Sequence, residues 1–219
     1  MTRPPATSTR PAVPLPAYAC DAPAYDKRTG SFGRYRREVV DRLPLRRGDV
    51  VIDAGCGTGL CFAQIEERIG PDGTIIGVDA APDMLAVASE RATAAGWSNV
   101  VLVEATVAEA ELPVADHALF CAVHDVLQSP SAVDHVVAHV RPGGGVAAGG
   151  GKWAPPWALA VNASVLALHA PYVRDFTGFD RPWVLLAERV PGLGVREVAM
   201  GGGYVAAGTV STGWEPPPG

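Results

Sequence analysis

The chain has 219 residues, of which 48% are hydrophobic and 19% are charged, and its formal net charge is −5. This composition is typical of one globular domain and excludes a fibrous or largely disordered protein. The negative balance argues against nucleic acid as a partner and against attachment of the whole protein to an anionic membrane.

The two ends of the chain differ in composition from the rest. Residues 1–17 are rich in Pro, Thr and Arg, and residues 211–219 carry a run of prolines. Both segments are predicted to be disordered tails that flank one domain at 18–210. The opening lacks an apolar signal core, and no apolar run is long enough to cross a bilayer. We therefore expect a cytoplasmic protein without stable membrane insertion.

In chain order, short β-branched runs alternate with longer segments of helical periodicity. This alternation is typical of βαβ units, in which the sheet is mostly parallel. Thr58 is the predicted N-cap of the second helix. The predicted strands are 50–54, 74–79, 100–104, 118–123 and 145–150. The predicted helices are 34–43, 58–69, 81–95, 130–140 and 156–169.

The last two apolar runs predict a different kind of strand pair. VREVAM (195–200) and YVAAGTV (204–210) are separated by only three glycines. Two strands joined by so short a link must be antiparallel neighbours. The sheet is therefore expected to end in an antiparallel hairpin.

A glycine-rich turn follows the first predicted strand in VIDAGCGTG (51–59). Strand, glycine turn and helix together bring a ligand close to the backbone. A dinucleotide fingerprint requires glycine where Leu60 stands, so the spacing argues against one. Asp79 ends the second strand, where its carboxylate can bind a ribose diol or, alternatively, cap the helix near Pro82. Cys56 is interpreted as a small spacer between glycines rather than as a nucleophile.

Three segments, in this order, resemble the motifs of class I S-adenosylmethionine-dependent methyltransferases of the small-molecule and lipid-acting group. They are VIDAGCGTG (51–59), GVDAAPDML (77–85) and HVRPGGGV (139–146). The resemblance covers about residues 18–210. It implies an α/β, Rossmann-like, doubly wound fold with a mostly parallel seven-stranded sheet that ends in an antiparallel hairpin. It also implies S-adenosyl-L-methionine as cofactor and S-adenosyl-L-homocysteine as product.

The resemblance also implies which residues contact the cofactor. The turn residues would line its methionine part, largely through backbone atoms, and Asp79 would hold the ribose hydroxyls. The remaining residues would lie near the adenine, where Glu104 begins the nearest match to an adenine-binding step. The predicted cofactor-binding residues are Asp53, Gly55, Cys56, Gly57, Asp79, Ala80, Met84, Ala105 and Thr106.

His124 is the predicted catalytic residue. It follows the fourth strand beside Asp125, where an imidazole can take a proton from an acceptor. Alternatively, it only hydrogen-bonds the loop. The other histidines (His117, His135, His139 and His169) are predicted to be surface or core residues.

The substrate pocket is expected to depend on two segments. Residues 152–190 are predicted to be an insertion that roofs the pocket, and they also supply a helix packed on the sheet. The pocket candidates there are Trp153, Trp157, Tyr172 and Phe176. The N-terminal helix would bring Tyr25 and Tyr35 to the cofactor. Its basic stretch (27–37) is either a solvated face or a surface for phosphate headgroups.

Motifs that are absent from the sequence narrow the reaction. No (D/N)PP(Y/F) step follows the fourth strand, no Pro-Cys pair includes Cys121, and no carboxylate set suits magnesium. The four scattered cysteines, Cys20 among them, are expected to be reduced thiols outside any metal site. The sequence thus predicts metal-independent methyl transfer to O, N or C of a small molecule.

Four other functions stay open. One is N-methylation of a phospholipid headgroup, and another is a non-methylating enzyme that binds S-adenosylmethionine on the same scaffold. The third is a nicotinamide oxidoreductase, and the fourth is a non-catalytic binding protein. The identity of the acceptor and the oligomeric state are not predicted.

Overall fold

A computed structural model describes residues 22–211, and in it seven strands form one sheet. The strands are β1 (Val50–Ala54), β2 (Thr74–Asp79), β3 (Val100–Glu104), β4 (Ala115–Cys121), β5 (Val140–Gly151), β6 (Gly194–Val198) and β7 (Gly203–Thr209). Their order across the sheet is β3-β2-β1-β4-β5-β7-β6. The first five are parallel, and β7 is antiparallel to both of its neighbours. The predicted α/β fold with its terminal antiparallel hairpin is confirmed.

Eight α-helices connect or cover these strands within the described range. They are α1 (Ala22–Thr29), α2 (Gly33–Val40), α3 (Phe62–Ile69), α4 (Pro82–Ala95), α5 (His124–Leu127), α6 (Pro130–Ala138), α7 (Leu159–His169) and α8 (Val184–Arg189). Among them, α1, α5 and α8 were not predicted. Helices α5 and α8 have only four and six residues, too few to show helical periodicity. Helix α1, with the sequence APAYDKRT, has too few apolar residues to mark a buried face.

The core lies on both faces of the sheet, because alternate strand residues point to opposite sides. Val51 and Leu119 pack on one face against α2 and α3, whereas Ile52 and Phe120 pack on the other against α6 and α8. Both faces are apolar, which explains why the central strands read as continuous hydrophobic runs.

The second helix begins four residues later than predicted, at Phe62 instead of position 58. Gly55, Gly57 and Gly59 all have positive φ, so the chain cannot enter a right-handed helix before Gly59 is passed. Thr58 is therefore not the N-cap. Its hydroxyl instead donates a hydrogen bond of 2.5 Å to Asp26 in α1.

The fourth strand runs from Ala115 to Cys121, so the predicted range 118–123 starts and ends too late. Ala122 has a φ of 60°, which turns the chain out of the sheet directly after the strand. The predicted tail at 1–17, Cys20 and the predicted tail at 211–219, except for its first residue, lie outside the described residues. Within residues 22–211, no helix is long and apolar enough to span a membrane.

Candidate functional site

A cavity of about 470 Å³ opens at the carboxyl ends of β1, β2 and β4. The strand order reverses between β1 and β4, and in open α/β sheets this switch point is where ligands bind. The volume lies within the range of small-molecule sites. The walls come from α1, α2, the glycine turn after β1, the loop after β4, helix α7 and the start of β7.

The first three backbone N–H groups of the glycine turn are already bonded inside the protein. Gly55 N and Cys56 N both donate to the Val78 carbonyl, at 2.8 and 2.9 Å. Gly57 N donates to Oδ2 of Asp79 at 2.9 Å. A turn that binds phosphate offers such groups to the anion. In this turn the N–H groups of Gly55, Cys56 and Gly57 are not available for that purpose.

Glycine is required in this turn for two different reasons. A Cβ on Gly55 would come within 2.5 Å of a Val123 methyl carbon, so the turn and the loop after β4 pack too closely for a side chain. A Cβ on Gly57 would meet no protein atom within 4 Å, and Gly57 lines the cavity. Its φ of +55° also disfavours any side chain. At Gly57 the missing side chain leaves space for a ligand.

Carboxylates gather beside this turn and form what we name the acidic end of the cavity (Asp53, Asp79 and Asp125). Asp53 is 2% exposed, and its Oδ2 has no hydrogen-bond partner. Burial, together with the neighbouring charge of Asp79, raises the pKa of Asp53 to about 7. A buried carboxyl in this state gains most from a cationic ligand, because a nearby positive charge favours its ionised form.

Asp79 is held in place by the backbone. Its Oδ1 accepts a hydrogen bond from Ala81 N at 2.9 Å, and its Oδ2 accepts the one from Gly57. Burial raises the pKa of Asp79, although these hydrogen bonds oppose the shift. Each carboxylate oxygen has a second lone pair, so the side chain can still accept bonds from a ligand.

Arg36 is a candidate binding residue that the sequence analysis missed. Its side chain is buried, it lines the cavity, and its Nη1 donates to the Thr29 carbonyl at 3.0 Å. Burial raises the pKa of Tyr25 to about 12, although the guanidinium of Arg36 beside it opposes this shift. The signal was present, because Arg36 shares the buried face of α2 with Val39 and Val40.

Helix α1 is fastened over the glycine turn by a polar network. Asp26 accepts the hydroxyl hydrogen bond of Thr58 and forms an ion pair with Arg91 of α4. Arg91 also donates from Nε to the Thr58 carbonyl at 2.8 Å. This network holds Tyr25 in the cavity wall, where Tyr35 also lies, as predicted for the N-terminal helix.

The loop after β4 carries His124 into the cavity wall. Ala122 adopts its left-handed conformation while its N–H donates to the Gly149 carbonyl at 2.7 Å. His124 then begins α5, and its Nε2 lies 3.1 Å from the Thr177 carbonyl. Because a carbonyl only accepts, Nε2 carries the proton and Nδ1 carries the lone pair in the neutral ring. Burial lowers the pKa of His124, which favours that neutral form.

The other half of the cavity is walled mainly by aliphatic and aromatic side chains, and we name it the apolar end. It is lined by Val126, Val161, Val165, Leu168, Tyr172 and Val173. Tyr172 lies there as predicted and contacts Tyr25, with ring centroids 5.2 Å apart. Three other predicted pocket residues do not line the cavity. Trp153 and Phe176 pack against the buried Phe179, and Trp157 is 82% exposed.

The predicted adenine-side residues lie at the same edge of the sheet but outside the cavity wall. The N–H of Ala105 donates to the Asp79 carbonyl at 3.1 Å, and Thr106 is exposed. Met84 is buried against Ala81 and Tyr25. Ala80, directly after Asp79, is half-buried. Their roles in adenine binding stay predictions.

The described range has three cysteines, which are free thiols, and all three line the cavity (Cys56, Cys61 and Cys121). Burial raises the pKa of the Cys56 thiol well above its ordinary value, so Cys56 is a poor nucleophile. Among residues 22–211, no group of three or more His, Cys, Asp or Glu side chains is arranged to hold a metal ion.

Comparison with known proteins gives one family and several relatives. Residues 51–144 match the model of a methyltransferase domain family. Demethylmenaquinone methyltransferase of Symbiobacterium thermophilum is 28% identical over 120 residues, which is 52% of this chain and 47% of that protein. Aklanonic acid methyltransferase of Streptomyces sp. strain C5 is 32% identical over 97 residues, 44% of each chain.

Among solved structures, phosphoethanolamine N-methyltransferase 2 of Haemonchus contortus, in complex with S-adenosyl-L-methionine, is similar with a TM-score of 0.68. The identity is 13%, over 92% of this chain and 61% of that one. At this identity the likeness concerns the fold. The chain spans about half the length of the curated relatives that it matches.

Proposed function

We propose that this chain is a class I S-adenosylmethionine-dependent methyltransferase, which transfers a methyl group from S-adenosyl-L-methionine to O, N or C of a small-molecule acceptor, without a metal. The cofactor carries a sulfonium and an α-ammonium group, which are both cationic. It also carries one carboxylate and a ribose diol. Each of these groups has a chemical counterpart in the cavity wall.

The observation that carries the proposal is the acidic end. Asp53 and Asp79 are buried beside a glycine turn in which the first three N–H groups are already bonded within the protein. A dinucleotide would bring a pyrophosphate into this turn, where it would meet two carboxyls and N–H groups that are already engaged. A sulfonium cofactor brings positive charge to the same place. The acidic end thus supports S-adenosylmethionine and argues against the nicotinamide alternative.

We assign the two ends of the cofactor's amino-acid part by charge. The ammonium group would lie at Asp53, whose Oδ2 has no partner in the protein. The carboxylate would lie at Arg36, the only Lys or Arg among the described residues of the cavity wall. Burial strengthens such charge-assisted hydrogen bonds. Asp79 would accept bonds from the ribose hydroxyls while the backbone holds its orientation.

When bound, the sulfonium supplies an activated methyl group, so the chain's own residues mainly position the acceptor and exclude water. The apolar end binds the acceptor's body. His124 donates from Nε2 to the Thr177 carbonyl, so its lone pair is on Nδ1, which is buried and has no hydrogen-bond partner in the protein. For a hydroxyl or amine acceptor, Nδ1 of His124 receives the proton.

The wall of the cavity also bears on the acceptor class. A phosphate headgroup is usually held by several cationic side chains or free N–H groups. In the described wall, Arg36 is the one Lys or Arg, and we assign it to the cofactor. The apolar end therefore favours an apolar small molecule over a phospholipid headgroup.

Calorimetric titration of the purified protein with S-adenosylhomocysteine, S-adenosylmethionine and NADH tests the cofactor. The two sulfur ligands should bind, and at a hundredfold excess over Kd they should raise Tm by about 5–11 °C. Asp79→Ala should abolish this binding. Asp83→Ala is the matched control, since Asp83 is an exposed acid in the first turn of α4.

Release of S-adenosylhomocysteine with a panel of hydroxyl, amine and activated-carbon acceptors then tests the transfer. Binding of NADH alone would overturn the cofactor assignment. Cofactor binding without turnover on any acceptor would favour a binding protein or a non-methylating enzyme.

A further inference from the structure

A small void lies behind the loop after β4 and joins two histidines that are 45 residues apart in sequence (His124 and His169). Its volume is about 30 Å³, the size of one water molecule or one hydroxyl group. Its polar side chains are the imidazoles of His124 and His169 and the ring of Tyr204, and both imidazoles also line the main cavity. His169 was predicted to be a surface or core residue, so its position in this wall was missed.

His169 is held as firmly as His124, but by its other nitrogen. Its Nδ1 lies 2.8 Å from the Val165 carbonyl, one turn earlier in α7. Nδ1 must therefore carry the proton, which leaves the lone pair on Nε2. The Nε2 side of the ring lies against Gly151, where an added Cβ would approach within 2.2 Å. Gly151 and His169 both line the void and the main cavity.

The two rings are fixed against the same aromatic residue. Phe179 is 1% exposed, and its ring centroid lies 4.8 Å from that of His124 and 5.4 Å from that of His169. Trp153 and Phe176 support Phe179 from behind. Burial lowers the pKa of both histidines, so both rings are favoured in their neutral form. The void is thus bordered by two rigid imidazoles. The lone-pair Nδ1 of His124 is buried without a hydrogen-bond partner, and the lone-pair Nε2 of His169 lies against Gly151.

We propose that this pair of histidines is a subsite for the hydroxyl group of the acceptor, and that the acceptor is an uncharged, apolar molecule bearing such a hydroxyl. A neutral hydroxyl donates its hydrogen to one lone-pair nitrogen, and Tyr204 borders the same space. The apolar end accommodates the molecule's body. The inference rests on the proposed function, because it names the acceptor class of the same cavity.

The test uses two probes that differ only at the oxygen, 2-naphthol and 2-methoxynaphthalene. The protein is first saturated with S-adenosylhomocysteine, and each probe is then titrated by calorimetry. The wild type should bind 2-naphthol about tenfold more tightly than its methyl ether, because the ether has no hydrogen to donate. His169→Phe keeps a ring against Gly151 but removes the lone-pair nitrogen, so the two affinities should become equal.

Two further variants complete the design. Ser164→Ala is the control, since Ser164 also lines the cavity from α7 but donates its hydroxyl hydrogen to the Ala160 carbonyl. This variant should discriminate between the two probes as well as the wild type does. His124→Phe replaces His169→Phe if thermal unfolding shows that the latter does not fold.

The outcomes separate the inference from the function on which it rests. Failure to bind S-adenosylhomocysteine would overturn the proposed function. Three results would overturn the histidine subsite alone, provided that S-adenosylhomocysteine binds. The two probes could bind with equal affinity, neither probe could bind, or the discrimination between them could survive the histidine substitution that folds.

Discussion

The two ends of the cavity are built in opposite ways. The acidic end takes Asp53 and Asp79 from the adjacent strands β1 and β2 and Asp125 from α5. Backbone N–H groups hold Asp79, and Oδ2 of Asp53 is buried without a partner. The apolar end is assembled from α7, from residues around Tyr172 and from the loop after β4, and most of its side chains make only van der Waals contacts.

This difference separates the two tasks of the site. At the acidic end, charge and fixed dipoles specify one ligand chemistry, and a single substitution removes a whole interaction. At the apolar end, affinity comes from contact area, which tolerates exchange of one aliphatic side chain for another. Cofactor identity should thus depend on a few residues, whereas acceptor identity depends on the shape of a wall.

After the loss of binding expected for Asp79→Ala, the largest effect is expected from substitution of Arg36, whose guanidinium would pair with the carboxylate of the cofactor. Arg36→Met should weaken S-adenosylhomocysteine binding about 100-fold, because charge-assisted hydrogen bonds contribute roughly 1.5–3 kcal/mol each. Calorimetry measures the loss. Arg37→Met is the control, since Arg37 is exposed and pairs with Glu67 on the surface, and it should leave the affinity unchanged. Equal effects of both substitutions would contradict the assigned role.

A smaller effect is expected from pH. Because burial raises the pKa of Asp53 to about 7, the ligand-free carboxyl is mostly protonated at lower pH. Binding of an ammonium group must then release a proton. Affinity for S-adenosylhomocysteine should therefore rise about tenfold between about pH 6 and pH 8. In Asp53→Asn the affinity should be low and nearly independent of pH.

The same shift has a consequence for the stability of the ligand-free protein. The pKa of Asp53 is 3.8 in the unfolded chain and about 7 in the folded protein. The stability due to protonated Asp53 is therefore complete below pH 3.8 and is lost as the pH rises through about 7. Asp53→Asn should therefore raise the Tm of the ligand-free protein at about pH 8, although the same substitution weakens binding of the cofactor. A variant that loses both stability and binding would contradict this account.

The smallest effect is expected where the backbone meets the ligand. Gly57→Ala should lower affinity for S-adenosylhomocysteine by about five- to tenfold, because its Cβ would occupy cavity space. Gly96→Ala is matched, since Gly96 also has positive φ and open space around it but ends α4, away from the cavity. Both should cost about 1–2 kcal/mol of stability in thermal unfolding. Only Gly57→Ala should change binding, and an equal loss in both would show that strain alone acts.

Much of the fold could be predicted from the sequence because its signals are local. Strand periodicity, the glycine turn at 51–59 and the three-glycine link of the hairpin each lie within a few neighbouring residues. Helix α3 was misplaced because three glycines with positive φ delay its start, and dihedral angles are not written in a motif. Helices α5 and α8 carried too few residues to show a period, and α1 carried too few apolar residues.

The candidate site was likewise predictable only where its signals are local in the sequence. The sequence by itself predicted that two carboxylates lie together, because Asp79 ends its strand, Asp53 is next to the end of its own, and parallel strands bring their carboxyl ends together. Only the tertiary structure decided that Arg36 faces the cavity, that His169 joins His124 at one void, and that Trp157 points to solvent. These positions depend on packing between segments far apart in the chain, and spacing along the sequence does not encode such contacts.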